Sequence, residues 1–283
     1  MRNQTTLSRI IPFAALTALA SVSLHSNATA APDEYATIFY RSGTLRIEAY
    51  LYKPAGAGPF PLVIYNHGNR GDGLERTEQP HTAVSRLLTG AGYAVLVPER
   101  RGFVKSDGPT VAQEVGGSYR NEKQVRRSQA ETDDVLAALD VVKRDPSINM
   151  KRLAVMGYSL GGQVAVFAAS RSDAFGAVIN QAGGSLSWNG NPLLQQALVS
   201  AARKIRVPNL GMVAENDATT DAVRRVYEVA RSAGSAAELI VYPPFKPSAA
   251  VSGSAPGHAL FRPEGLPIWG ADVVAFLTRH IHS

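Results

Sequence analysis

Residues 152–169 confine the chain to very few folds. Arg152-Leu153-Ala154-Val155-Met156 is an apolar run of strand length, Gly157-Tyr158-Ser159-Leu160-Gly161 follows with Gly162 behind it, and Gln163 to Ala169 then carries apolar residues at helical spacing. The order is strand, tight turn, helix, and the turn is the glycine-flanked serine of a G-x-S-x-G elbow. Small residues two before and two after the serine let strand and helix approach closely, and the hydroxyl is held out above the sheet on a strained turn. A pentapeptide alone also suits an ordinary glycine-rich turn. What separates the two readings is whether the rest of the chain supplies partners for the hydroxyl.

The flanking sequence predicts the sheet to which such an elbow belongs. Tyr35 to Tyr40 and Thr44 to Tyr52 alternate around Ser42-Gly43, the pattern of an antiparallel hairpin. Short apolar strands follow at Pro61 to Tyr65, Tyr93 to Val97, Ala177 to Asn180, Pro208 to Ala214 and Glu238 to Tyr242. Helical spacing separates them at Ala83 to Leu88, Glu122 to Lys143, Thr220 to Ser232 and from Pro267 onward, with Leu193 to Ala202 as a further helix. Strands that are apolar throughout, alternating with helices, imply an α/β fold: a mostly parallel central sheet with helices on both faces and an N-terminal antiparallel hairpin. Ligands bind such sheets at the carboxyl ends of the strands. Segments 183–206, 99–118 and 243–262 are long enough to cover a site there.

Residues 1–30 read as a signal peptide rather than as fold. Arg2 and Arg9 precede an apolar stretch from Ile10 to about Leu24, and Ala28-Thr29-Ala30 supplies a small-residue cleavage pattern. That stretch contains Pro12 and is shorter than the roughly 20 residues of a membrane-spanning helix. The expectation is export to the periplasm or the medium, cleavage after Ala30, no stable membrane insertion afterwards, and one domain over residues 31–283. The chain has no cysteine, so neither a disulfide nor a lipid-modified cysteine is available and the core alone must stabilise the fold. The net charge of +6 falls to +4 without Arg2 and Arg9. Its basic clusters at Arg100-Arg101, Arg126-Arg127, Arg203-Lys204-Arg206 and Arg224-Arg225 are scattered and lack interleaved aromatics, which reads as a solvated surface and not as a nucleic-acid site.

A serine hydroxyl is a weak nucleophile and needs a general base, itself oriented by a third group. Of six histidines, His25 lies in the signal, His280 and His282 at the C-terminus, and His81 ahead of a helix where it reads as a surface residue. His67 directly follows a strand and reads as structural. His258, on the loop after the last strand in Pro256-Gly257-His258, remains as the base. The acid should lie between serine and histidine and close a strand. Asp217 does so in Ala214-Glu215-Asn216-Asp217, with Glu215 and Asp221 as rivals, the latter placed to begin a helix. Two backbone donors for an oxyanion are expected from Leu160 and from Asn69, with Gly68 in reserve, in the loop His67-Gly68-Asn69-Arg70-Gly71-Asp72-Gly73. Those glycines fit neither a dinucleotide fingerprint nor a Walker loop, so no nucleotide site is implied, and acyl transfer by these residues needs no cofactor or metal.

Taken jointly, His67-Gly68, Pro98-Glu99-Arg100-Arg101-Gly102 with Ser106-Asp107-Gly108, Gly157 to Gly162, Ala214 to Asp217 and Gly257-His258 give a chain that resembles the α/β-hydrolase family, and within it the serine-nucleophile relatives of dienelactone hydrolases. The resemblance implies nucleophile Ser159, acid Asp217 and base His258, in agreement with the elimination above. Dienelactone hydrolases proper use a cysteine nucleophile, which this chain lacks, and Asn69-Arg70 stands where many esterases carry further glycines. Arg70 reads as a surface residue, with contact to an anionic substrate as the alternative. The expected function is hydrolysis of small-molecule carboxylic esters through an acyl-enzyme, with Trp188, Tyr119 and Phe261 as lining aromatics. An amide-bond hydrolase of the same fold, or a non-catalytic envelope-binding protein, are the alternatives.

Overall fold

A computed structural model describes residues 34–70, 74–116, 121–249 and 254–282. The signal assigned to residues 1–30, the Gly71-Asp72-Gly73 stretch and Tyr119 lie outside them. The described chain runs β1 (Ala36–Ser42), β2 (Leu45–Tyr52), β3 (Phe60–Asn66), α1 (Thr82–Gly90), β4 (Ala94–Pro98), α2 (Val111–Val115), α3 (Glu122–Val142), β5 (Ile148–Tyr158), α4 (Leu160–Arg171), β6 (Ala177–Gln181), α5 (Pro192–Ala202), β7 (Asn209–Ala214), α6 (Asp221–Ser232), β8 (Ala237–Tyr242) and α7 (Leu266–Leu277).

The strands form one eight-stranded sheet in the order β1-β2-β4-β3-β5-β6-β7-β8. β1 pairs antiparallel with β2 and β2 antiparallel with β4; every other pairing is parallel. The two faces explain why the central strands are apolar at every position. Leu62 and Ile64 of β3, with Leu153 and Val155 of β5, pack beneath α3, α4, α5 and α6. Val63 and Tyr65, with Ala154 and Met156, pack against α1 and α7 on the other side. A period-two strand covered on both faces has no position at which a polar residue is free of cost. On α6 the buried positions Ala222, Val223, Val226, Val229 and Ala230 form one helical stripe, which seats it on β7 and β8.

α3 departs from its expected apolar stripe. Gln129 is exposed, while Gln124, Arg127, Ser128, Glu131 and Asp134 are buried along with Val125 and Val135. The solvated reading of the basic clusters therefore fails for three arginines. Arg127 has no exposed surface: it pairs with Glu131 and Glu114, each at 2.7 Å. Arg100 pairs with Glu131 and also donates to His67 O, and Arg101 grips Asp134 through two bonds of 2.8 Å. Ion pairs so far from water are tolerated only when each charge is matched and hydrogen-bonded. Their role in the fold is to tie α3 to the loop after β4 and, through Arg100, to the loop after β3.

Candidate active site

Ser159 occupies the junction of β5 and α4 with φ 58° and ψ −119°. A residue with a β-carbon adopts such a conformation at a cost on the order of 1–3 kcal/mol, and it persists where the surroundings over-determine it. Here glycines do so. A Cβ on Gly157 would lie 2.0 Å from Gly161 O, one on Gly161 would lie 2.0 Å from Asn66 O, and one on Gly162 would lie 2.6 Å from Asn180 Oδ1. The Ser159 amide donates to Gln181 O at 2.8 Å, which locks the elbow to β6. Leu160 is the first residue of α4, so its N–H has no carbonyl acceptor within the helix.

His258 sits in a 3₁₀ turn, Pro256–Phe261, beyond β8. Its Nε2 is 2.8 Å from Ser159 Oγ, and its Nδ1 is 2.9 and 3.1 Å from the two carboxylate oxygens of Asp217. An ionised carboxylate only accepts, so the ring proton belongs on Nδ1 and Nε2 presents a lone pair to the serine hydroxyl. Asp217 lies on the turn after β7: its amide donates to Ala214 O at 3.1 Å, and its Oδ1 also accepts from the Ala218 amide at 2.7 Å. Glu215 is exposed, and Asp221 opens α6 on the surface, so neither rival stands with the histidine.

Sequence reasoning missed the residues that steady this group. Tyr158 donates its hydroxyl to His258 O at 2.9 Å, and burial pushes its phenol up to about 12, so it remains a donor at any working pH. Asn216 bonds Phe245 in both directions, Nδ2 to O at 2.8 Å and Oδ1 from N at 2.9 Å, tying the turn after β7 to the loop after β8. Gly257 admits that contact, because a Cβ there would lie 2.6 Å from the Asp217 amide nitrogen.

The loop after β3 packs directly over the elbow. A Cβ on Gly68 would stand 3.0 Å from the Tyr158 ring and 3.4 Å from Ser159 Cβ, so any larger residue would press on the elbow, and Asn69 follows half-buried. Two expectations need correction here. Arg70 is buried, its guanidinium bonded to Glu99 Oε1 at 2.7 Å and to Thr77 O at 3.0 Å, so it is neither a surface residue nor a free cation for a substrate. His81 is half-buried and stacked on the His67 ring, with centroids 4.8 Å apart and planes 16° apart, because the chain before α1 folds back in a left-handed turn with φ 56°. Burial lowers both imidazoles well below their ordinary range, helped at His67 by Arg100 and Arg70.

A cavity of about 420 Å³ opens beside the elbow, walled by Tyr65, Val84, Tyr158, Phe261, Leu266 and Trp269. Asn69, His81 and Gln79 add polar edges; among the described lining residues the charged side chains are Arg70 and Arg262, and none is acidic. Phe261 thus lines the cavity as expected. Trp188 does not; it is buried beneath α4 and α5 on the far face. The cover comes only in part from where it was anticipated: the end of segment 243–262 supplies Phe261 and Arg262, residues 74–84 and 263–269 add walls that were not expected, and 183–206 contributes none. Among the described residues no group of three or more His, Asp or Glu is arranged to hold a metal ion.

Residues 47–249 match the model of the dienelactone hydrolase family, more than half the chain. The chain belongs to the dienelactone hydrolase family. It is a hydrolase family, and the chain has the α/β-hydrolase fold. The quorum-quenching protein AidA of Acinetobacter baumannii is 25% identical over 183 residues, 63% of this chain and 55% of AidA. Esterase EstD of Thermotoga maritima is 30% identical over 129 residues, 44% of this chain and 28% of EstD. This chain therefore spans about half or less of the length of these relatives. In structure, the acylaminoacyl peptidase of Pyrococcus horikoshii superposes with a TM-score of 0.65 at 17% identity, over 88% of this chain and 42% of the peptidase. At that identity the likeness is one of fold.

Proposed function

We propose that this dienelactone hydrolase family member hydrolyses small-molecule carboxylic esters through an acyl-enzyme on Ser159. The observation that carries the reading is the hydrogen-bonded line from Asp217 through His258 to Ser159 Oγ, ending beside a cavity whose described lining residues include none that is acidic. In the first step Ser159 Oγ attacks the ester carbonyl carbon while His258 Nε2 takes the hydroxyl proton. Asp217 keeps the imidazole in the required tautomer and stabilises its positive charge. The carbonyl oxygen becomes an oxyanion, met by the Leu160 and Asn69 amides. The tetrahedral species collapses, and the alcohol leaves with the proton from His258. Water then attacks the acyl carbon, its proton passes to His258 and on to Ser159, and the free acid departs. Each oxyanion donor contributes about 2.7–4 kcal/mol of transition-state stabilisation.

The lining favours esters over the amide substrates of an aminopeptidase. An enzyme that binds a free α-ammonium group needs a carboxylate facing it, and no described residue lining the cavity supplies one. Glu99 is bonded to Arg70, Asp107 accepts from the Arg46 amide, Glu264 accepts from the Ser248 amide, and Glu215 faces solvent. A panel of nitrophenyl esters beside aminoacyl anilides tests this, with turnover of the esters expected. A fluorophosphonate probe should label Ser159; failure to label would sink the enzymatic reading and favour a binding protein. We read residues 1–30 as an export signal, on Arg2, Arg9, the apolar stretch and Ala28-Thr29-Ala30. N-terminal sequencing of the protein from cell fractions tests that, and an intact Met1 on protein in the cytoplasm would remove it.

A further inference from the structure

Behind the loop after β3 lies a second histidine–carboxylate pair, and we propose that it sets the direction of an oxyanion donor: His67, steadied by Glu99, is a positioning residue that holds the Gly68–Asn69 peptide with the Asn69 N–H turned toward Ser159. The inference rests on the esterase reading for what that N–H does, while the orientation of the peptide can be observed without it.

His67 Nδ1 lies 2.7 Å from Gly68 O. A carbonyl oxygen only accepts, so Nδ1 carries the proton of this bond. Within a trans peptide the C=O and N–H point in opposite directions, and the Gly68–Asn69 bond is trans. Fixing Gly68 O toward the His67 ring therefore commits the N–H on the other side of the same unit, and that N–H is Asn69's. Gly68 itself packs against Ser159 Cβ and the Tyr158 ring, which brings this peptide to the edge of the elbow. Such a clamp is needed because a peptide beside glycine turns over at little steric cost. A flipped unit would aim a carbonyl oxygen, not a donor, at the developing negative charge.

The ring is itself held on every side. It is 1% exposed, His81 stacks on it, and Phe103 lies at 6.0 Å. The residue's own carbonyl accepts from Arg100. Its Nε2 faces Glu99 Oε2 at 3.4 Å, and Glu99 is gripped through its other oxygen by Arg70 at 2.7 Å. Glu99, fixed in this way, backs the Nε2 edge of the ring and limits its rotation.

Two substitutions separate the ring's two nitrogens. In His67→Asn the amide Nδ2 stands near the place of Nδ1 and can still donate to Gly68 O; in His67→Gln the amide reaches toward Glu99 and cannot. Kinetics with nitrophenyl esters should show kcat falling by roughly 10²–10³-fold in His67→Gln, the size of losing one oxyanion donor, with KM within about threefold of wild type. His67→Asn should recover at least about tenfold of that loss. Equal losses in the two variants, or a loss carried by KM, would overturn the proposal. Glu99→Leu should lower kcat less than His67→Gln at unchanged KM, and an unchanged kcat there would overturn Glu99's part. Crystal structures of wild type and the His67 variants read the orientation directly. Gly68 O should keep its direction in wild type and Asn and leave it in Gln; retention in Gln overturns the proposal whatever the kinetics. A wild-type protein that neither turns over esters nor labels at Ser159 would remove the esterase reading and leave the crystallographic result to be judged alone.

Discussion

His258 and His67 are both buried, both face a carboxylate, and both stand on loops at the carboxyl ends of strands, yet they are used in opposite ways. His258 spends one nitrogen on Asp217 and presents the other to a half-buried hydroxyl at the edge of a cavity. His67 spends one nitrogen on Gly68 O and turns the other to Glu99, with Arg70 and Arg100 around it. The lesson is that a histidine–carboxylate pair is competent for proton transfer only when one ring nitrogen is left for a reacting partner. When both are consumed inside the protein, the pair becomes scaffold.

That contrast is broken most directly by exchanging what each pair loses. Asp217→Asn and His258→Gln should each lower esterase kcat by about 10⁴-fold or more, against roughly 10²–10³-fold for His67→Gln. If His67→Gln fell as far as His258→Gln, the two pairs would not differ in kind. Next in size is stability. Arg100→Met leaves one oxygen of Glu131, whose other oxygen keeps Arg127, and the His67 carbonyl without a buried donor, and urea unfolding should show a loss of about 1–3 kcal/mol for each group left unsatisfied. Asp217→Asn should change unfolding far less, since its charge has one histidine and no guanidinium beside it.

The pH dependence of stability sharpens the comparison further. His67 and His81 have lowered affinity for protons in the fold, whereas the unfolded chain takes them up near pH 6.5. Below that pH the unfolded state binds more protons, so stability falls as pH falls. Glu99 acts in the opposite sense, because burial raises its carboxyl and the folded state keeps that proton longer. Two histidines outnumber the one opposing carboxyl, so stability should fall on balance as pH drops below about 6.5. Thermal melts across that range should show it, and His81→Phe should flatten it. The smallest effect is at the cavity wall. Leu74 is half exposed there, and Leu74→Ala should raise KM up to about tenfold for esters long enough to reach it, leaving short esters and stability unchanged.

The sheet, its hairpin and most helix positions were legible in the sequence because each rests on a local period: two in the strands, about 3.6 in α6, and glycines at fixed offsets around Ser159. The juxtaposition of Ser159, Asp217 and His258 was legible from chain order and strand ends. What was not legible depends on distant pairings. Arg70 and Arg100 look like surface cations until Glu99 and Glu131, about thirty residues away along the chain, are seen to meet them in the interior. His81 looks like a solvated residue ahead of a helix until the left-handed turn lays it on His67. The cavity walls follow from how residues 74–84 fold back toward 261–269, and neither segment carries a periodic signal that marks it as a lining.

One feature of the topology bears on when the molecule becomes active. The elbow is complete by residue 162, but the histidine that faces it lies beyond β8, the last strand laid at the sheet's edge, and Trp269 and Leu266 of the cavity come later still. A chain emerging from the ribosome therefore carries the serine alone until its base follows 99 residues later. On the proposed mechanism, a product stalled before His258 lacks the general base for Ser159 and should be inert.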